Sequence, residues 1–211
     1  MKIVLQFLLL VAIAILAYMC VQSIMTPRIF EKTRQEREAA IVERLIIIRN
    51  VQMGYRNYAS SGTYAGSFED LQKFLNEFKI PFITKEGELT DAQLKAGMTE
   101  KEAVKKGVIR RDTTFILAKD TLLSKNFDVA SIGYVPGFEH EHFKLDTATL
   151  LSSSGYTVPV FEASVQYDVF LGDLDRQELI NLKDMRVKMK RFPGLKVGSV
   201  LEINNNAGNW E

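Results

Sequence analysis

Thiol and imidazole are scarce in this 211-residue chain, which holds one cysteine, Cys20, and two histidines, His140 and His142. A single thiol excludes an intramolecular disulfide, a thiolate zinc cluster and an iron–sulfur centre. With both imidazoles in one tetrapeptide, few ways remain to assemble a catalytic triad or a metal centre. Charge of one sign is also lacking: 27 Lys and Arg stand against 26 Asp and Glu. No bulk field therefore draws the chain to nucleic acid. There is no Gly-rich phosphate loop, nucleophile elbow or His-Glu-x-x-His helix. Ser152-Ser153-Ser154 has no acid–base partner nearby and reads as a turn. The inventory is that of a non-enzyme, with no catalytic residue, no cofactor and no metal. What the chain does have is bulk: 46% hydrophobic residues, including 13 Phe and 7 Tyr, fill a real core and argue against wholesale disorder.

The strongest feature is the uncharged run IVLQFLLLVAIAILAYMCVQSIM from Ile3 to Met25. At 1.5 Å per residue it spans about 34 Å, enough to cross a hydrocarbon core of about 30 Å. It is longer than a secretory h-region, and Tyr18, Met19, Gln22 and Met25 offer no small-x-small cleavage pair. Cys20 follows the bulky Met19 and reads as an apolar thiol inside a helix rather than a lipidation site. The expectation is an uncleaved anchor with the lipid bilayer as partner. Lys2 precedes the span, whereas Arg28, Lys32, Arg34 and Arg37 follow it, interleaved with Glu31, Glu36 and Glu38. Charge alone slightly favours a cytoplasmic C-terminal flank.

Thr26-Pro27 reads as a helix restart, a capping hydroxyl with proline in the first turn. Beyond it Ile41, Leu45, Ile48, Gln52, Tyr55 and Ala59 follow steps of four and three, one face of an amphipathic helix. Phe30 to Ala40 is mostly charged and is expected in solvent or against partners. Ser60-Ser61-Gly62 stops the helix, and Gly62 suits the left-handed conformation. Ser67, with Asp70 three residues on, starts a second helix whose apolar face is Leu71, Phe74, Leu75 and Phe78. Ile80–Thr84 reads as an edge strand around Pro81. Residues 88–108 look like an insert of two small helices, begun at Thr90-Asp91-Ala92-Gln93 and Thr99-Glu100-Lys101-Glu102.

After residue 112 the period changes. Thr113–Ala118, Ser131–Val135, His142–Leu151 and Val158–Leu171 are rich in β-branched and aromatic residues and predict one antiparallel sheet. Phe161, Ala163, Val165, Tyr167 and Val169 alternate, as in a strand buried on one face. Asp175, with Glu178 three residues on, starts a further helix carrying Leu179, Ile180 and Leu182, and its continuation from Lys183 to Arg191 is basic. The chain closes on a polar tail that holds its single tryptophan, Trp210.

The span, the helix, the stretch Arg49-Asn50-Val51-Gln52-Met53-Gly54-Tyr55-Arg56-Asn57-Tyr58 and then Ser61-Gly62-Thr63-Tyr64-Ala65-Gly66-Ser67-Phe68-Glu69-Asp70-Leu71 form a pattern. It resembles type IV pilins and type II secretion pseudopilins over about the first 75 residues. The chain is also similar to single-span envelope proteins of Bacteroidetes type. The family's glycine before the apolar stretch and its glutamate five residues in are not matched: no Gly precedes Gly54 and no Glu precedes Glu31. Alanine follows Tyr64 where the family has proline. The resemblance implies a pilin-like head on the periplasmic side of the inner membrane, carried by a single pass, rather than a working pilus.

Several constellations have a bland account beside the chemical one. His140 and His142 would share a strand face and offer two imidazoles to one metal, but two ligands are not a site and polar residues are normal beside the Pro136-Gly137 turn. Asp168, Asp173 and Asp175 have calcium's hard oxygens without a dedicated spacing, and Asp175 is accounted for as a helix cap. Lys183, Arg186, Lys188, Lys190 and Arg191 would meet anionic headgroups if near a bilayer, but as a rule such a run is a hydrated helix face.

The fold class expected is α+β: a transmembrane helix (residues 1–26) continuing into a long amphipathic helix (27–60), packed on an antiparallel sheet in a head (61–211). The function expected is structural or assembly work in a cell-envelope complex, through association with other membrane proteins or with itself. The candidate surface, for partners or for packing the head, is Ile41, Leu45, Ile48, Tyr55, Tyr58, Tyr64 and Phe68. The alternative is an extracytoplasmic ligand-binding or sensory domain whose pocket is the aromatic cluster.

Overall fold

The computed structural model describes residues 2–59, 62–88, 90, 97 and 99–211. It is a mixed α+β structure with a long apolar N-terminal helix and antiparallel sheets. Helix α1 runs from Lys2 to Gly54 without interruption. Its first half is exposed on every side and is long and apolar enough to cross a membrane.

The expected restart at Thr26-Pro27 does not occur, because Pro27 lies inside the helix. Proline there forfeits one backbone bond and crowds a carbonyl, a cost of about 3 kcal/mol that a helix of this length outweighs. The Thr26 hydroxyl does not cap anything. It donates to Gln22 Oε1 at 3.3 Å, and Gln22 Nε2 donates to the Tyr18 hydroxyl at 2.9 Å. These three polar side chains, one turn apart, satisfy one another on the exposed surface of the helix.

The chain gathers into two compact units, one formed by residues up to Arg49 with Ser131–Glu211, the other by Asn50–Ala130. The second of these opens with the last turn of α1, after which a π-helical turn, Tyr55–Ala59, ends the long helix. Gly62 has φ +96°, as expected of a helix stop, while Ser60 and Ser61 lie outside the described residues. Helix α2 (Phe68–Glu77) is capped by Ser67, whose hydroxyl accepts from the Asp70 amide at 3.1 Å. It buries Leu71, Phe74 and Leu75. Strand β1 (Lys79–Glu86) pairs antiparallel with β2 (Arg110–Leu117) as a two-stranded ribbon, with Pro81 opposite Phe115. Between them α3 (Glu100–Lys105) carries a full capping box at Thr99 and Glu102. The other expected cap, Thr90-Asp91-Ala92-Gln93, falls on residues outside the described set. Helix α4 (Ala118–Leu122) follows β2 and packs on α2.

In the first unit, the hairpin β3 (Tyr134–Val135) and β4 (Phe138–His142) is followed by an antiparallel sheet of order β5 (Lys144–Leu151), β6 (Thr157–Gln166) and β7 (Gly194–Gly198). Among the described residues the strands therefore form three separate sheets, not the single one expected. Helices α5 (Tyr167–Leu171) and α6 (Arg176–Lys188) connect β6 to β7. The strand expected over Val158–Leu171 thus stops at Gln166. Tyr167, Phe170 and Leu171 are all fully buried at helical spacing, so a period of three to four overrides the apparent alternation through Val169.

The polar tail is pinned rather than loose. Asn209 accepts from the Lys196 amide at 3.1 Å and donates to the Gly194 carbonyl at 2.9 Å, and Val197 bridges to Gly208. At the end of β7, Gly198 has φ +72°, and an added Cβ there would lie 2.1 Å from the Phe161 carbonyl oxygen. Only glycine fits.

Candidate functional site

Ile41, Leu45 and Ile48 have no exposed surface and belong to the first unit. Arginines beside them on α1 hold the same unit together. Arg37 grips both carboxylate oxygens of Asp173, at 2.5 and 2.8 Å, and donates to the Phe170 carbonyl at 2.6 Å. Its guanidinium also lies 5.3 Å from the centre of the Phe138 ring. Arg44 donates to the Ser131 carbonyl and, at 3.1 Å, to its hydroxyl. Arg49 reaches Glu211 at 2.7 Å. The bidentate Arg37 pair holds the Asp173 carboxyl below its usual range, chiefly through the hydrogen bond.

Of Phe30–Ala40, expected in solvent or against partners, Lys32, Gln35, Glu36, Ala39 and Ala40 are exposed and the rest are covered. Phe30 is 5% exposed, and Arg34, Arg37 and Glu38 are half-buried. A charge-rich stretch can be covered because its charges find partners: Glu31 with Arg34 at 2.9 Å, and Arg37 with Asp173.

One polar cluster there is not readable from sequence. Arg34 Nε stands 3.6 Å from Glu38 Oε1 without a hydrogen bond. The Arg186 guanidinium sits 5.9 Å over the Tyr167 ring, and its charge acts on Glu38. Arg34 Nε, Glu38 Oε1, the Tyr167 hydroxyl and Arg186 Nε are buried, and among the described residues none makes a hydrogen bond of good geometry, although Tyr167 lies within interacting distance of both Glu38 and Arg186. Burial pushes the Glu38 carboxyl up, against the opposing pull of the Arg34 and Arg186 charges. It also pushes the Tyr167 phenol up, with help from the Glu38 charge.

Tyr55, Tyr58, Tyr64 and Phe68 belong to the second unit. Tyr55 meets Phe74 edge-to-face, ring centres 5.5 Å apart, and Phe74 meets Phe78 at 5.4 Å. Tyr64 is buried and its hydroxyl accepts from Arg56 at 3.1 Å. Phe68 is half-buried at the first position of α2, and Tyr58 is exposed. An open groove of about 470 Å³ is lined by Tyr55, Ala59, Asp70, Lys73, Phe74, Glu77 and Phe78. Of the four aromatics proposed from sequence, only Tyr55 lines it.

Gln52 has a role that its place on the helix face does not spell out. Fully buried, it donates to the Ala65 carbonyl at 3.0 Å and accepts from the Ala65 amide at 2.9 Å. The one signal for it in the sequence is a polar residue standing on the apolar stripe.

The candidate metal ligands have other occupations. Asp168 pairs with Lys183 at 2.5 Å, Asp173 with Arg37, and Asp175 caps α6 by accepting from the Glu178 amide at 3.0 Å. His142 stacks on Tyr134 at 4.1 Å, and His140 is exposed. Among the described residues no three His, Cys, Asp or Glu side chains gather as a metal site. No protein-family model, curated protein or solved structure matches the chain.

Proposed function

We propose that this chain is a membrane-anchored, pilin-like structural or assembly subunit of a cell-envelope complex, working by protein–protein association. Its span would sit in the inner membrane with the folded part in the periplasm. The observation that supports this is α1 itself: one unbroken helix whose first half exposes apolar side chains all round and whose second half is gripped along a single stripe. Such a rod transmits position rather than chemistry, and its remaining faces are open to neighbours in the bilayer. Phe82, Ile83 and Phe115 on the β1–β2 ribbon are each more than half exposed and give the second unit an apolar contact surface.

Photo-crosslinking in intact membranes, from probes at Leu16 and Phe115, tests it. Discrete adducts to a few membrane proteins or to a second copy are expected from both positions. Uncrosslinked monomer at both would refute it.

The groove beside Tyr55 is the one observation that favours a ligand-binding domain instead. It is wide open and rimmed by Asp70, Lys73 and Glu77, whereas small-molecule sites are enclosed and mostly apolar. Saturable stabilisation of the full chain by a small molecule, lost with Tyr55→Ala, would favour that alternative.

A further inference from the structure

The basic run at the end of α6 acquires a location from the structure. Of its five cations, Lys183 is held by Asp168 and Arg186 lies over Tyr167. Lys188, Lys190 and Arg191 are exposed and make no ion pair among the described residues. Between and beside them Val187 and Met189 are 60% and 58% exposed. The turn is closed by Lys190 and Arg191 amides donating to the Val187 and Arg186 carbonyls, both at 2.9 Å. Three cations and two apolar side chains are thus presented on an ordered turn.

Both ends of α6 are tied to the same short stretch of α1. Asp173, just before α6, grips Arg37, and Arg186, near its end, sits with Tyr167 beside Glu38 and Arg34. These ties set α6 at about the level of residues 34–38 on α1, a stretch that covers about 6 Å of helix. Residues 34–38 stand about 14–20 Å beyond Met25, the last residue of the apolar run. Headgroups fill roughly the first 5–8 Å of that. The remaining gap is comparable to the Debye length of about 10 Å, and an ordinary span tilt of about 20° narrows it.

We propose that the turn Lys188–Arg191, with Val187 and Met189, rests on the anionic phospholipid headgroups of the bilayer that holds α1. Docking there sets the tilt of the rod and the direction in which the first unit faces. The charges match, and the contact is continuous with the span. This rests on the reading that residues 3–25 cross the bilayer.

The test uses the full chain, with Cys20→Ser, in vesicles of phosphatidylcholine with or without phosphatidylglycerol. An environment-sensitive fluorophore is placed at Met189→Cys, and in a separate variant at Leu10→Cys. Expected is a blue shift and shielding from iodide at 189 in anionic vesicles only, lost in salt that cuts the Debye length to about 3 Å. Each basic side chain near an anionic surface shifts the docked population about fivefold, so Lys188→Gln, Lys190→Gln and Arg191→Gln together lower it about a hundredfold. A label at 189 equally wet, or equally shielded, in both kinds of vesicle overturns the proposal while Leu10 still reports lipid. Should Leu10 itself report water, the membrane reading fails and the proposal falls with it.

Discussion

Gln52→Leu isolates a single polar contact inside an otherwise apolar face. The side chain is fully buried and satisfies both the amide and the carbonyl of Ala65, which is itself 1% exposed. Leucine keeps the helix propensity and much of the volume but leaves two buried backbone groups without partners. Each orphan costs about 1–3 kcal/mol, about 4 for the pair at mid-range, and the added apolar surface returns about 1–2, so a net loss of about 2–3 kcal/mol is expected in the second unit. The direct assay is hydrogen exchange at the Ala65 amide in the full chain, which should quicken about thirtyfold to a hundred-and-fiftyfold. Gln52→Glu separates hydrogen bonding from packing. Its carboxylate cannot donate to the Ala65 carbonyl at neutral pH, but its protonated form can. Acid should therefore restore protection in the Gln52→Glu variant and not in Gln52→Leu. An Ala65 amide as protected in Gln52→Leu as in the native chain would refute the reasoning.

Leu45→Asp buries an unpaired charge at a fully covered position and should prevent the first unit from folding, whereas Leu45→Ala should cost about 2–5 kcal/mol by urea titration. A cooperatively melting Leu45→Asp chain would contradict this. Glu38 has a folded-state pKa raised mainly by burial, so its contribution to stability is complete below the ordinary carboxylate range and is lost as pH climbs through the raised value. Glu38→Gln should remove that decline from the stability–pH profile and leave the native chain less stable than the variant at neutral pH. Gly198→Ala should destabilise the β6–β7 pairing by about 2 kcal/mol or more, since φ is +72° and a Cβ would strike the Phe161 carbonyl. An unchanged melting temperature would speak against it.

Local features of the chain were legible and non-local ones were not. The caps at Ser67, Thr99 and Asp175 were readable because each is a bond between residues three apart. The stripe through Ile41, Leu45 and Ile48 was readable because burial imposes a helical period. Pro27 misled because propensity rules describe a helix interior in isolation, and α1 carries enough turns on either side to absorb one defect. The strand boundary at Gln166 was hidden because Tyr167 fits both an alternating and a helical pattern, and only the burial of Phe170 and Leu171 decides between them. Which residues of Phe30 to Ala40 are covered is hidden in the sequence because the partner of Arg37, Asp173, lies more than a hundred residues away. The same distance concealed the meeting of Arg34 and Glu38 with Tyr167 and Arg186.

The central claim is that residues 3–25 lie in the bilayer and continue as one rigid helix into the folded part. Spin labels placed singly from Gln6 to Ile48 in proteoliposomes, read for oxygen against a water-soluble relaxant, measure both halves of it. The expected profile has its deepest point near Ile13, turns aqueous near Arg28 and oscillates with a period of about 3.6 residues from there to Ile48, with no break at Pro27. Water contact at Ile13, or a loss of periodicity after Pro27, would contradict the account.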